Sequence, residues 1–272
     1  MRYTGKPELD AMPQPAGGSR LGATAGYHTI FGRRHTVQTM STKKGTRRAK
    51  LAPSAARSAS VDAPSALARD AERARADILA VATEEFAKKG LSGARVDEIA
   101  ARTHTVKRMI YYYFGSKEGL YRAVLARCYE NIRTLESELD MDALPPDEAL
   151  RRLVRVTFDH HNKHTDFVRL VMNENIHHGE HIAHLAEIKL RNRTVVTMLR
   201  KLIDRGVAAG VFRPDLDPIE LHMSISALSF FNVSNRYTFS QIFGKDMTSS
   251  KALLARREIV IDMIERWCRP DR

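Results

Sequence analysis

The stretch Val96–Leu120, VDEIAARTHTVKRMIYYYFGSKEGL, constrains this chain more than any other. Val96, Ile99, Ala100 and Thr103 recur at i, i+3, i+4 and i+7, the signature of one helix face. A second short helix is expected from about Val106 to Tyr112, with Val106, Ile110 and Phe114 on its inner side. Only His104 and Thr105 separate the two, too little chain for anything but a sharp corner. On the outer side of the second helix, Lys107 and Tyr111 are four apart, as are Arg108 and Tyr112, so all four occupy neighbouring rows. Cations interleaved with phenol rings suit the major groove of DNA. Lys and Arg pair with phosphates or with guanine O6 and N7, and Tyr reaches phosphates or packs on sugars and thymine methyls. A run of three tyrosines, Tyr111 to Tyr113, also fits a plain core helix, and the helical pattern alone does not choose.

The 272 residues fit one or two domains, and a hydrophobic content of 43% is enough for a sizeable core. No apolar run approaches the roughly 18 to 20 residues of a membrane helix. The two cysteines, Cys128 and Cys268, stand in unrelated contexts. They exclude a disulfide framework and a cysteine-based zinc site, and they suit a cytoplasmic location. The formal charge of +12 is uneven, because residues 1–70 contribute +8 and the remaining 202 only +4. Residues 1–68 are rich in Gly, Ser, Ala, Thr and Pro and read as a disordered basic tail. Its run Lys43-Lys44-Gly45-Thr46-Arg47-Arg48-Ala49-Lys50 is either a solvated segment or a nucleic-acid-binding arm. Met40 is an alternative start.

Order is expected from about Arg69, where Ile78, Ala82 and Phe86 begin an apolar face that Gly90 terminates. From Gly90 through Val96, Ile99-Ala100, Ile110-Tyr111-Tyr112-Tyr113-Phe114 and Ser116-Lys117-Glu118-Gly119-Leu120, the chain resembles the TetR family of transcriptional regulators. The spacing from Ile99 to Leu120 fits that family without a gap, and the likeness covers about residues 70–120. There are three departures. His104 stands where the family usually has Gly at the corner, Thr105-Val106 replaces the usual Val that follows it, and Arg95 stands where a Ser or Thr cap is common.

The resemblance implies an all-α fold: a three-helix DNA-binding domain over residues 69–119 and a larger helical effector-binding and dimerisation domain over 120–272. It implies that Arg95, Lys107, Arg108, Tyr111 and Tyr112 face DNA, with Lys117 on a phosphate near the start of the fourth helix. Tyr113 stays between roles, and Ile99, Ala100, Ile110 and Phe114 belong to the core.

Downstream, helices are expected over Ser116–Leu139, Pro146–Lys163, Asp166–Ile176, Glu180–Ala209, Pro218–Phe239 and Ser250–Cys268, with no strand pattern. Cys128 lies on the seam of the first of these, as a buried structural thiol. Seven of the eleven histidines fall between His160 and His184. His160/His164, His177/His181 and His181/His184 have helical ligand spacing, but the second Glu-x-x-His of a di-iron bundle is missing, so no metal or cofactor is assigned. Leu170, Asn173, Glu174 and His177 share a helix face that turns from apolar to polar, which suits a small polar or aromatic effector. The segment Phe167–Gly179 resembles one subgroup of the family, in which the corresponding helices surround the ligand. Phe158, His161, Phe230, Phe231 and Asn235 are the further candidate walls. Leu221, Ile225, Leu228 and Asn232 form one candidate dimer stripe, and Ile259, Met263 and Trp267 another.

These expectations describe a homodimeric repressor on a palindromic double-stranded DNA operator, released by a small-molecule effector, with no membrane partner. The alternatives are a non-specific architectural DNA-binding protein and a metal-binding helical enzyme. No phosphate loop, nucleophile elbow or paired metal motif supports catalysis.

Overall fold

The computed structural model describes residues 66–270. The run Lys43–Lys50 and the Met40 start lie outside the described residues, as does the expected tail up to residue 65. Among the described residues there are ten α-helices and no strand: α1 Ala66–Gly93, α2 Val96–Arg102, α3 Lys107–Phe114, α4 Lys117–Ser137, α5 Pro146–Lys163, α6 Thr165–Ile176, α7 Ala186–Ala208, α8 Pro218–Ser234, α9 Arg236–Phe243 and α10 Ser250–Cys268. None is long and apolar enough to cross a membrane.

Two hydrophobic cores organise them. The first gathers Ile78, Ala82 and Phe86 of α1, Ile99 of α2, Ile110 of α3 and Leu120, Tyr121, Val124 and Leu125 of α4. It continues past residue 120 into the helical half, taking in Phe167, Val168 and Leu170 of α6 and Ile188 of α7. Phe86 and Tyr121 meet edge-on at its centre, 5.1 Å between ring centroids. The second core packs α5, α7, α8 and α10 through Leu150, Phe158, Leu199, Leu202, Leu221, Ile225, Val260 and Ile264.

Local chemistry sets the ends of the short helices. Gly90 breaks α1 with φ 67° and ψ 177°, a conformation only glycine adopts at little cost. No side chain caps α2 at Arg95; its backbone N–H donates to Glu85 Oε1 at 3.3 Å, and Asp97 and Glu98 sit in the first turn, where carboxylates favour the helix dipole. His104 turns the corner with φ 50°. Thr105 is half-buried, whereas Val106 is the N-cap residue of α3 and 63% exposed, not inward-facing as the helical spacing predicts. The reason is phase: α3 starts one residue later, so Val106 is not on its helical track.

Two expected long helices are broken. The expected helix Glu180–Ala209 does not start at Glu180: the chain turns at His178 with φ 56° and Gly179 with φ 73° just before it, passes through a 3-10 turn over Ile182–His184, and α7 starts only at Ala186. Glu174 causes this, because its Oε1 accepts from the backbone N–H of His181 at 2.6 Å and Ile182 at 3.1 Å, pulling the chain back onto α6. The helix from Pro218 stops at Ser234, where Asn235 leaves helical geometry at φ −108° and ψ 4°, and α9 follows. The fourth helix ends at Ser137, two residues before Leu139. The expected dimer stripe on α8 is also displaced: Leu221, Ile225 and Asn232 are buried within the chain, and the apolar side chains left open on that helix are Ile219, Met223 and Phe231.

Candidate functional site

The face of α3 opposite Ile110 carries exposed aromatic and cationic groups. Ile110 is fully buried, while Lys107 and Arg108 are exposed and Tyr112 is 77% exposed. Tyr111 stands at 38%, and Tyr113 is half-buried against the core with its ring 5.5 Å from that of Tyr112. Arg108 has no ion pair or hydrogen bond among the described residues. Lys107 lies 3.1 Å from Asp97 of α2, an exposed pair that water and salt weaken. Arg95 is exposed at the start of α2. Lys117 donates to the Ser92 carbonyl at 3.2 Å and thereby ties the start of α4 to the C-terminal end of α1. Ser116 caps α4 by accepting from the Gly119 N–H at 3.0 Å. The six sequence-assigned residues thus ring α3 and the first turns of α2 and α4.

Two contributors lie outside that assignment. Val106 presents an apolar side chain at the leading end of α3, where sequence phase had placed it inside. Gly119 lets α4 start against the end of α3, since a Cβ there would sit 2.0 Å from the Phe114 carbonyl oxygen. A glycine one turn into a helix is a signal in the sequence, but the atom it avoids is visible only in three dimensions.

The nine effector candidates are spread over several places. Phe158 is in the second core and Leu170 in the first, both fully buried. Asn173 stands beside Gly90, within 3.5 Å of where a Cβ on that glycine would be. Glu174 is buried and occupied with the His181–Ile182 backbone, its second oxygen 3.4 Å from His181 Nδ1. Burial, reinforced by the nearby Glu174 carboxylate, raises the Tyr121 phenol pKa well above its ordinary value. His177 and Phe231 are exposed, and Asn235 half-buried, at helix ends. His161 and Phe230 do come together, 6.2 Å apart, with Phe167 5.6 Å from His161. The His161 Nδ1 donates to the Thr157 carbonyl at 2.7 Å, and burial lowers its pKa. Beside this cluster Asn162 Oδ1 accepts from Asn232 at 2.8 Å and from Arg236 at 3.4 Å. Among the described residues no three His, Cys, Asp or Glu side chains converge on a point that would hold a metal ion. Cys128 is buried, and that burial pushes its thiol up to about 11.

Comparison with known proteins supplies the family. Residues 78–124 match the family described as bacterial regulatory proteins, tetR family, and residues 146–264 match the tetracyclin repressor-like C-terminal domain. The HTH-type transcriptional repressor NicS of Pseudomonas putida is 34% identical over 202 residues, covering 74% of this chain and 95% of that protein. The HTH-type transcriptional repressor SCO4008 of Streptomyces coelicolor is 32% identical over 151 residues, covering 55% of this chain and 75% of its own length. Among solved structures, the putative transcriptional regulator SCO4942 of Streptomyces coelicolor superposes with a TM-score of 0.56 at 29% identity, over 72% of this chain and 99% of its own. These relatives are regulators rather than enzymes, and with its helix-turn-helix on α2 and α3 and its helical second half, the chain belongs to the TetR family of bacterial transcriptional regulators.

Proposed function

We propose that the protein is a homodimeric repressor that reads a palindromic operator through α3 and leaves it when a small molecule binds the helical half. The observation that carries this reading is the unpaired Arg108 beside the exposed Tyr112, on a helix whose other face is locked into the core by Ile110. In this reading Arg108 and Tyr111 contact base edges, Val106 a thymine methyl, and Arg95, Lys107, Tyr112 and Lys117 phosphates. Repression agrees with the sign named for the NicS and SCO4008 relatives.

Dimerisation is supported by Ile219, Met223 and Phe231 on α8 together with Ile259 and Met263 on α10, all more than 40% exposed. Side chains of this kind gain stability when a second copy covers them. Release follows if the effector binds more tightly to a state whose two reading heads no longer match the half-site spacing.

Footprinting on DNA flanking the gene tests the proposal. A protected palindrome with half-sites about one helical turn apart supports it, and uniform coverage replaces it with a coating role. Arg108→Ala should weaken operator binding by about 1–3 kcal/mol with the helical circular dichroism intact, and unchanged affinity would remove Arg108 from the reading set.

A further inference from the structure

A cleft of about 320 Å³ lies where α1, α4 and the turn from α5 into α6 meet. Its volume is at the lower end of small-molecule sites. None of the nine effector candidates lines it. Leu79 of α1 and Phe167 of α6 supply apolar wall, and the neighbouring Thr83 and Cys128 line it beside them. His160 enters from the last turn of α5. That side chain is only 6% exposed, and its Nδ1 has no hydrogen-bond partner. His160 thus lines the cleft with a buried Nδ1 left unpaired, which costs about 1–3 kcal/mol that a hydrogen bond from a bound molecule would offset.

The charge in the cleft decides the class of ligand. Four ionised side chains line it: Glu84, Arg127, Lys163 and Asp166. Glu84 is engaged by Arg102, and Asp166 lies 3.7 Å from Arg169. Arg127 and Lys163 have no ion pair among the described residues, so the spare charge is positive. The first turn of α6 lines the same space with no side-chain cap at His164; the Phe167 N–H donates to the His164 carbonyl at 3.1 Å, and the N–H groups of Thr165 and Asp166 add to the attraction for an anion. Burial holds His160 as the neutral imidazole near pH 7, which supplies a hydrogen bond without a further charge.

We propose that this cleft binds a small organic anion, with a carboxylate between Arg127, Lys163 and the start of α6, an apolar body against Leu79 and Phe167, and a hydrogen bond to His160. The cleft touches α1 directly, so occupancy would fix the seating of the DNA-binding helices on α4 and α6. That consequence rests on the repressor reading given above, whereas the binding itself does not.

The test uses the full chain with nitrogen-labelled histidine and three probes of one shape: benzoate, neutral benzamide and cationic benzylammonium. Benzoate should shift the His160 ring signals saturably, those signals being identified by their loss in His160→Gln, and benzylammonium should not. The double variant Arg127→Gln, Lys163→Gln should weaken benzoate by about tenfold, and since both side chains are exposed its melting temperature should stay as it was. No benzoate shift at His160, equal binding of the cation, or undiminished binding in the folded double variant would overturn the proposal. Benzoate bound at His160 with operator affinity unchanged would keep the site and remove its regulatory role.

Discussion

Gly119→Ala measures how closely the DNA-reading helix is fastened to the helical half. The new methyl would lie 2.0 Å from the Phe114 carbonyl oxygen and 3.2 Å from its carbon, against an ordinary contact of 3.4 Å or more. The atom it meets is backbone at the end of α3, so it cannot rotate aside, and the α3–α4 junction must open by roughly 1 Å or more. Two effects oppose each other. Alanine gains up to about 1 kcal/mol of helix propensity over glycine in α4, while overpacking against a fixed atom costs about 3 kcal/mol, the upper part of its usual range. The clash wins by about 2 kcal/mol, which lowers the melting temperature of a domain this size by about 4–8 °C. The displacement should also weaken operator binding, because α3 is moved relative to the element that positions it. Gly93→Ala is the control: its Cβ would meet only Lys89 Cβ at 3.4 Å, so stability and binding should hold. Calorimetry and fluorescence anisotropy with operator DNA read both variants. Identical melting and identical affinity for Gly119→Ala and the parent would refute the argument.

Three further outcomes are expected. Glu174→Ala removes the acceptor of two backbone N–H groups and should cost about 3–5 kcal/mol in urea unfolding; slow hydrogen exchange persisting at the His181 and Ile182 amides would contradict this. Burial, the largest cause in each case, holds His160 down to about 3 and His222 to about 4, from an ordinary 6.5. The unfolded chain therefore binds more protons than the folded one below pH 6.5, so stability is present near neutrality and falls as the pH drops. The urea midpoint should decrease from pH 7 to pH 5, with a flatter slope in His160→Gln; parallel slopes would exclude the histidine. Met223→Asp should yield a folded monomer by sedimentation if the open faces of α8 and α10 join two copies; an undiminished dimer would move the interface elsewhere.

The sequence by itself determined the all-α class, the two short helices and their corner. These are local matters. The i, i+3, i+4, i+7 stripe of Val96, Ile99, Ala100 and Thr103, the capping Ser116 and the helix-ending Gly90 act within a few residues of themselves. Position-by-position resemblance added the family and the residues expected at DNA. Tertiary structure decided what depends on partners far along the chain. Glu174 reads as a pocket residue on its own helix, yet it is committed to the His181–Ile182 backbone, and that commitment breaks the long helix that periodicity predicts there. Leu221 and Ile225 form an apolar stripe fit equally for core or dimer, and only the packing of α5, α7 and α10 around them assigns the core. The cleft under His160 joins α1, α4 and α5–α6, whose residues lie up to about 90 positions apart, so no spacing rule reaches it. At the opening stretch the division is sharpest. Periodicity placed Val106 inward, but the corner at His104 delays α3 by one residue, and that shift turns a core position into a side chain facing outward.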